Sequence, residues 1–264
     1  MAVKGSTGVH VINERTIDTT CGRAAWLEAG AGWPIILIHG FPLTAAMWRP
    51  QLERTPESWR VIAPQLRGAS MREYASGVFA LMDALEIDAA VIGGMSMGGY
   101  VTFEMFRQAP LRFSGMVLAD TRSAADTPQG REGRIAMRAL LAEKGTAGVA
   151  AQMLPKLFSP DADASTVAFA REMIESNAPA AVDAAIAAMM DRPDSTPDLP
   201  RISCASLVIV GERDAITPVA DAEAMQRALS RSTLCVIPGA GHLSSLERPD
   251  AFSLALGDFL RSAL

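Results

Sequence analysis

The chain has 264 residues, 49% of them hydrophobic, with 24 Lys plus Arg against 29 Asp plus Glu and a formal charge of -5. That length suits one large domain or one core carrying an insertion. An acidic balance without any block of like charge excludes nucleic acid and an anionic membrane as expected partners.

The start, MAVKGSTGVHVINERT, is polar and has no apolar leader region. No later stretch approaches the run of about 20 apolar residues that a membrane span needs, so a soluble, cytoplasmic protein is expected. GVHVI and RTIDTT read as an antiparallel hairpin joined through Asn13 and Glu14, and the pattern assigns no pairing to the following CGRAAWLEAGAGWP. From Trp33, WPIILIHGF is a short, β-branched apolar run ending at glycine, as a strand buried on both faces should. RVIAP (60–64), AAVIGG (89–94), GMVLAD (115–120), SLVIVGERD (206–214) and TLCVIPGAGH (233–242) repeat that signal. Helix-like stretches separate most of them: YASGVFALMDALEI from Tyr74, MGGYVTFEMFRQA from Met97 and RPDAFSLALGDFLRSAL from Arg248. Such alternation predicts an α/β domain around a largely parallel sheet.

The alternation stops between Thr121 and Pro200, where the periodicity is helical and no strand is convincing. One helix is expected within DTPQGREGRIAMRALLAEKG, with Pro128 in its first turn and Gly145 as its stop, and others over 146–154, 163–176 and 179–191. The expected organisation is a core of residues 1–120 and 201–264 with a helical cap, 121–200, inserted in it. Cys21, Cys204 and Cys235 are far apart and odd in number, so reduced and mostly buried thiols are expected, with neither disulfides nor a zinc site.

Chemistry concentrates in GGMSMGGY. A G-x-S-x-G match is weak alone, but here a strand leads directly into Ser96 and a helix leads directly out, the setting of a nucleophile elbow. Serine needs a base to take its proton. Of the three histidines, His10 lies in the first weak strand, His39 ends WPIILIHG where it more naturally shapes a loop, and His242 follows a strand end opened by two glycines. His242 is therefore the expected base. Asp214, closing SLVIVGERD, is the expected acid, because it completes the chain order Ser, Asp, His. Asp120 at the end of GMVLAD is its rival, and Glu212 and Glu247 are expected to be peripheral. Backbone N–H groups of Phe41 and Met97 are placed to form an oxyanion hole.

HGFPLTAAMW, GGMSMGGY, GERDAITP and GAGHLSSLERPDAF resemble the matching segments of the α/β-hydrolase superfamily, and the likeness runs through nearly the whole chain. It is closest to small capped esterases, 3-oxoadipate enol-lactonase-like hydrolases and cofactor-free haloperoxidase-like perhydrolases. The resemblance implies the α/β-hydrolase fold with a helical cap. It puts the nucleophile on Ser96, the acid on Asp214, the base on His242 and the oxyanion donors on Phe41 and Met97. Two segments depart from the family pattern. Gln65 and the short QLRGAS stand where a D-x-R-G-x-G-x-S run is usual, and the segment before the HG strand is longer.

The expected reaction is hydrolysis of a carboxylic ester through an acyl-enzyme, with no metal or organic cofactor and a small-molecule ester as partner. Enol-lactone or carbon–carbon bond hydrolysis, perhydrolysis, and a slow-turnover receptor are the alternatives with the same triad. Trp48, Met95, Met137, Met153, Leu157, Phe158 and Met189 are the candidate walls of an apolar pocket, suited to small or medium apolar esters. Methionines at helical spacing equally suit packing of the cap.

Overall fold

The computed structural model describes residues 11–55 and 58–263. Eight strands form one sheet in the order β1-β2-β4-β3-β5-β6-β7-β8. They are β1 (Asn13–Thr19), β2 (Gly22–Gly30), β3 (Trp33–Ile38), β4 (Trp59–Pro64), β5 (Ala90–Met95), β6 (Phe113–Ala119), β7 (Ala205–Gly211) and β8 (Ser232–Ile237). The strands from β3 to β8 pair in parallel, and β1 and β2 run antiparallel at one edge.

That edge corrects the expected hairpin. Residues 8–10 of GVHVI, His10 among them, lie outside the described residues, and Asn13 and Glu14 belong to β1. The hairpin is β1 with β2, in register from Asn13 opposite Glu28 to Thr19 opposite Gly22. Its turn is built by Thr19, whose hydroxyl donates to the Gly22 carbonyl and accepts the Cys21 N–H. Gly22 takes φ 96°, a conformation that costs a glycine little. The segment without an assigned partner is thus β2, which bridges β1 to β4.

Helices α1 (Arg49–Glu53), α2 (Met71–Ala84), α3 (Met97–Gln108), α7 (Val219–Ala228), α8 (Ser244–Glu247) and α9 (Pro249–Ala263) accompany the sheet. Between β6 and β7 come α4 (Pro128–Leu157), α5 (Ala164–Glu175) and α6 (Pro179–Met190). Their starts follow local chemistry. The Thr127 hydroxyl accepts the Gly130 N–H and the Asp163 carboxylate accepts the Ser165 N–H, while Pro179 opens α6, where its missing N–H costs nothing. Gly145 interrupts α4 with φ 63°, so two helical pieces meet where the sequence marks a stop.

Arg192 fastens this unit to the sheet domain. It pairs with Asp126 at 2.8 Å, donates to the carbonyls of Met189 and Ala124, and lies 4.1 Å above the Tyr100 ring of α3. Both terminal nitrogens of this buried guanidinium are thus paired, while its Nε has no acceptor among the described residues. The three cysteines are free as expected, but Cys21 is exposed in the β1–β2 turn. No helix among the described residues is long and apolar enough to cross a membrane.

Candidate active site

The sheet changes direction of winding at β3: the chain next adds β4 on one side of it and then β5 on the other. In open α/β sheets a crevice opens at the carboxyl ends of the strands at such a switch point. The loops after β3 and β5 carry Phe41 and Ser96 into it. Ser96 stands between β5 and α3 with φ 54° and ψ -113°, a conformation that costs a non-glycine residue about 1–3 kcal/mol. The surroundings hold it there. Its N–H donates to the Ala119 carbonyl at 2.9 Å, and its carbonyl accepts from Gly99 N–H at 2.9 Å and from the Thr121 hydroxyl at 2.8 Å. Close approach explains two glycines: a Cβ on Gly94 would strike the backbone of Gly98, and one on Gly98 would strike the Ile38 carbonyl.

Asp214 and His242 follow β7 and β8, which lie two and three strands from β5. Both are buried, and His242 Nδ1–H donates to Asp214 Oδ2 at 2.8 Å. Asp214 also accepts N–H bonds from Ile216 at 2.8 Å and Thr217 at 2.9 Å, and the Thr217 hydroxyl at 2.6 Å. Burial alone would raise the Asp214 carboxyl, but the hydrogen bond and charge of His242, with the Thr217 bonds, hold it below the ordinary value. An ionised acceptor at Nδ1 fixes the tautomer and leaves Nε2 its lone pair. The hydrogen bonds of the described residues include none between Ser96 and His242.

The N–H groups of Phe41 and Met97 have no acceptor among the described residues. Both residues line one cavity of about 410 Å³. Its other walls are Pro42 and Leu43, the loop Gln65–Gly68, Tyr74, Asn177 and one side of α6 at Ala178, Ala181, Val182 and Ala185. His39 lies beneath it as a loop anchor. Its Nδ1 donates to the Gly40 carbonyl at 3.1 Å, and its Nε2 accepts the Leu66 N–H at 3.1 Å, with the Gln65 amide at 3.3 Å. Burial pushes this histidine down to about 4.

Residues 35–255 match the family model described as the alpha/beta hydrolase family. The chain belongs to the α/β-hydrolase family. Among solved structures this α/β hydrolase is similar to a thermophilic esterase from Thermogutta terrifontis, at 36% identity and a TM-score of 0.90 over 95% of this chain and 99% of that one. It is 26% identical over 234 residues to 3-oxoadipate enol-lactonase 2 of Acinetobacter baylyi, spanning 84% of this chain and 86% of that relative. A pimeloyl-[acyl-carrier protein] methyl ester esterase of Neisseria meningitidis is 28% identical over 238 residues, 86% of this chain and 93% of its own.

In this hydrolase the seven side chains expected as pocket walls line none of the cavity at Phe41 and Met97. Trp48 is fully buried with its ring 5.8 Å from that of Phe252, and Met95 is fully buried at the end of β5. Met137, Leu157, Phe158 and Met189 are buried in the core cluster, and Met153 is half-buried against it. The physical reason is helical geometry: the apolar stripe of α4 and α6 that pattern detects is the stripe that packs. Small alanines of α6, which carry no such signal, face the cavity.

One carboxylate is buried against expectation, and a second, the rival acid of the sequence, bonds elsewhere than to His242. Glu247, expected to be peripheral, is buried and accepts the Gly241 N–H at 2.7 Å and the N–H and hydroxyl of Ser159 at 3.1 and 2.6 Å. It thereby ties the loop bearing His242 to the end of α4, as does the Leu243 N–H to the Leu157 carbonyl at 3.0 Å. Asp120 is fully buried beside the same loop, accepting the Gly211 N–H at 2.8 Å and bonding Ser244. Burial and the neighbouring Asp214 charge raise it well above the ordinary carboxyl value, despite the bonds from Ser244 and Gly211. Glu247 stands two residues before Pro249 and five after His242, and nothing in so short a spacing announces a buried acceptor.

Proposed function

We propose that this chain is a serine hydrolase of carboxylic esters, with Ser96 as nucleophile, His242 as general base, Asp214 as its orienting acid, and the N–H groups of Phe41 and Met97 as oxyanion donors. The observation that carries the reading is the buried bond from His242 Nδ1 to Asp214 Oδ2, at the same sheet edge as the strained elbow of Ser96. His242 Nε2 takes the Ser96 proton as Oγ attacks the ester carbonyl, and the tetrahedral oxyanion accepts the two backbone N–H bonds. His242 then returns the proton to the leaving alkoxide. Water, deprotonated by the same imidazole, releases the acyl group and regenerates Ser96. Helices α4 to α6, over residues 121–200, act as a cap, since α6 supplies one wall of the cavity into which the oxyanion donors open.

The cavity volume suits an ester or lactone of small to medium size. The enol-lactonase relative makes an internal ester a natural variant, because ring opening uses the same attack and the same oxyanion. Steady-state turnover of a p-nitrophenyl ester series tests the reading. Ser96→Ala is expected to lose at least about 10³-fold in kcat with KM little changed. A fluorophosphonate label should map to Ser96 by mass spectrometry. Full activity in the variant, or a label elsewhere, overturns the mechanism.

A further inference from the structure

We propose that the cleft between the β1–β2 turn and α2 is a second ligand site, separate from the catalytic cavity, and that it takes an uncharged single-ring aromatic carrying one oxygen acceptor, such as an aryl ketone. The cleft holds about 280 Å³. An apolar cavity of about 150 Å³ accepts benzene, so a substituted ring fits here. Ala24 and Ala25 of β2, Pro64, Leu66, and Val78 and Leu81 of α2 give it apolar walls. The loop Gln65–Gly68 and Tyr74 form walls of both this cleft and the catalytic cavity. A ligand here lies beside the substrate's cavity without entering it.

Two observations point to an occupant. Tyr74 is 4% exposed, and its hydroxyl meets no hydrogen-bond partner among the described residues, although a buried tyrosine usually finds one. Burial and the Glu73 charge push this phenol up to about 12, so it stays protonated and has a hydrogen bond to donate. The second observation is Gly77, in the middle of α2. Glycine in a helix interior is destabilising relative to alanine, and a neighbour that leaves no room for a Cβ would explain its presence. At Gly77 a Cβ would meet nothing nearer than the Arg67 carbonyl at 4.0 Å, and both residues line the cleft. The missing side chain leaves room that the described residues do not fill. The charge of the ligand follows from where the charges of the cleft stand. Arg23, Arg67 and Glu73 are exposed and of both signs, Arg23 donating to the Thr16 hydroxyl and Glu73 accepting the Ala69 N–H. The buried polar group is the neutral Tyr74 hydroxyl, and a carboxylate taken down to it would exchange its water for one neutral donor. An uncharged acceptor suits that donor.

Cys21 reports on the site, because it lines the same cleft and is exposed, its thiol donating to the Ser76 carbonyl at 3.7 Å. Acetophenone should slow alkylation of Cys21 by N-ethylmaleimide saturably, by at least about threefold once the site is mostly filled. Cys204 and Cys235, which line no part of the cleft, should keep their rates in the same peptide maps. Tyr74→Phe should raise the concentration for half-protection about fivefold, the effect of one lost hydrogen bond. Gly77→Leu, which fills the cleft from the helix side, should abolish protection while turnover of p-nitrophenyl acetate stays within about twofold. Benzoate, with the same ring and a charge, should protect only at higher concentration. Equal slowing at all three cysteines, protection retained in Gly77→Leu or unchanged in Tyr74→Phe, or stronger protection by benzoate overturns the proposal. Loss of ester turnover in Gly77→Leu would make the two cavities one, which overturns it as well. Protection itself reads no ester cleavage, so a failure of the Ser96 mechanism would show separately.

Discussion

Two histidines end parallel strands on one edge of the sheet, both buried, and their surroundings divide their fates. After β3, His39 meets only peptide and amide groups: the Gly40 carbonyl at Nδ1, and the Leu66 N–H and Gln65 amide at Nε2. Both ring nitrogens are occupied and burial opposes a charge, so the ring is a neutral pivot for the loops that carry Phe41 and Arg67. After β8, His242 meets Asp214, a carboxylate held ionised by its own hydrogen bonds. An imidazolium formed there has a counter-charge waiting, and Nε2 is left free. Burial makes either histidine rigid. The group opposite Nδ1 decides which one can accept a proton and keep it.

The largest effect should come from erasing that difference. Asp214→Asn removes the anion while keeping the shape, and an amide that donates its N–H to Nδ1 selects the wrong tautomer. A loss of about 10³- to 10⁴-fold in kcat is expected, measured on the best p-nitrophenyl ester. Asp120→Asn should stay within about threefold, because Asp120 bonds Ser244 and Gly211. A large loss in Asp120→Asn with little in Asp214→Asn would make Asp120 the acid and reverse the assignment.

The next effect is on stability at the neutral histidine. His39 titrates near 4 in the folded chain and near 6.5 when unfolded, so the unfolded chain binds the extra proton in between. Its contribution is complete above pH ~6.5 and lost as pH falls toward about 4, by about 3 kcal/mol in all. Urea midpoints of wild type and His39→Gln should therefore diverge from pH 7 to pH 4.5, wild type losing more. Glutamine keeps an acceptor for the Leu66 N–H without titrating. Parallel curves would mean that His39 becomes charged in the fold without cost.

These contrasts mark how far the sequence could be read. The buried parallel strands are legible because both faces are covered, so WPIILI and SLVIVG are apolar throughout. The elbow is legible for a steric reason: Gly94 and Gly98 stand where any side chain would collide, and steric exclusion leaves a mark in single residues. Chain order singles out Asp214 and His242, and the two are hydrogen-bonded in the fold. The cavity walls are not legible, because alanines of α6 are chosen for being small and resemble any helical alanine. Nor is the β1–β2 hairpin, whose turn rests on the Thr19 hydroxyl and one left-handed glycine instead of an Asn-Gly pair. Glu247 looks like a surface acid in sequence, and Asp120 at its strand end looks like a second candidate for the acid, since the N–H groups that each accepts come from other segments.

Asp120 offers the smallest effect and the finest test of the contrast between charged and neutral halves of the site. Its folded value is raised, the reverse of Asp214, by burial and by the Asp214 charge. A carboxyl raised on folding contributes most below its unfolded value of about 3.9, and that contribution is lost as pH rises toward the folded value. Asparagine copies the neutral acid: its carbonyl can accept the Gly211 N–H and its amide can donate to the Ser244 hydroxyl, with nothing to ionise. The stability of Asp120→Asn relative to wild type should therefore climb between pH 4 and pH 8, read from paired urea melts, while kcat stays near wild type. A flat difference would mean that Asp120 ionises freely beside Asp214, and two adjacent buried anions would then have to be reconciled with the proposed triad, which depends on only one.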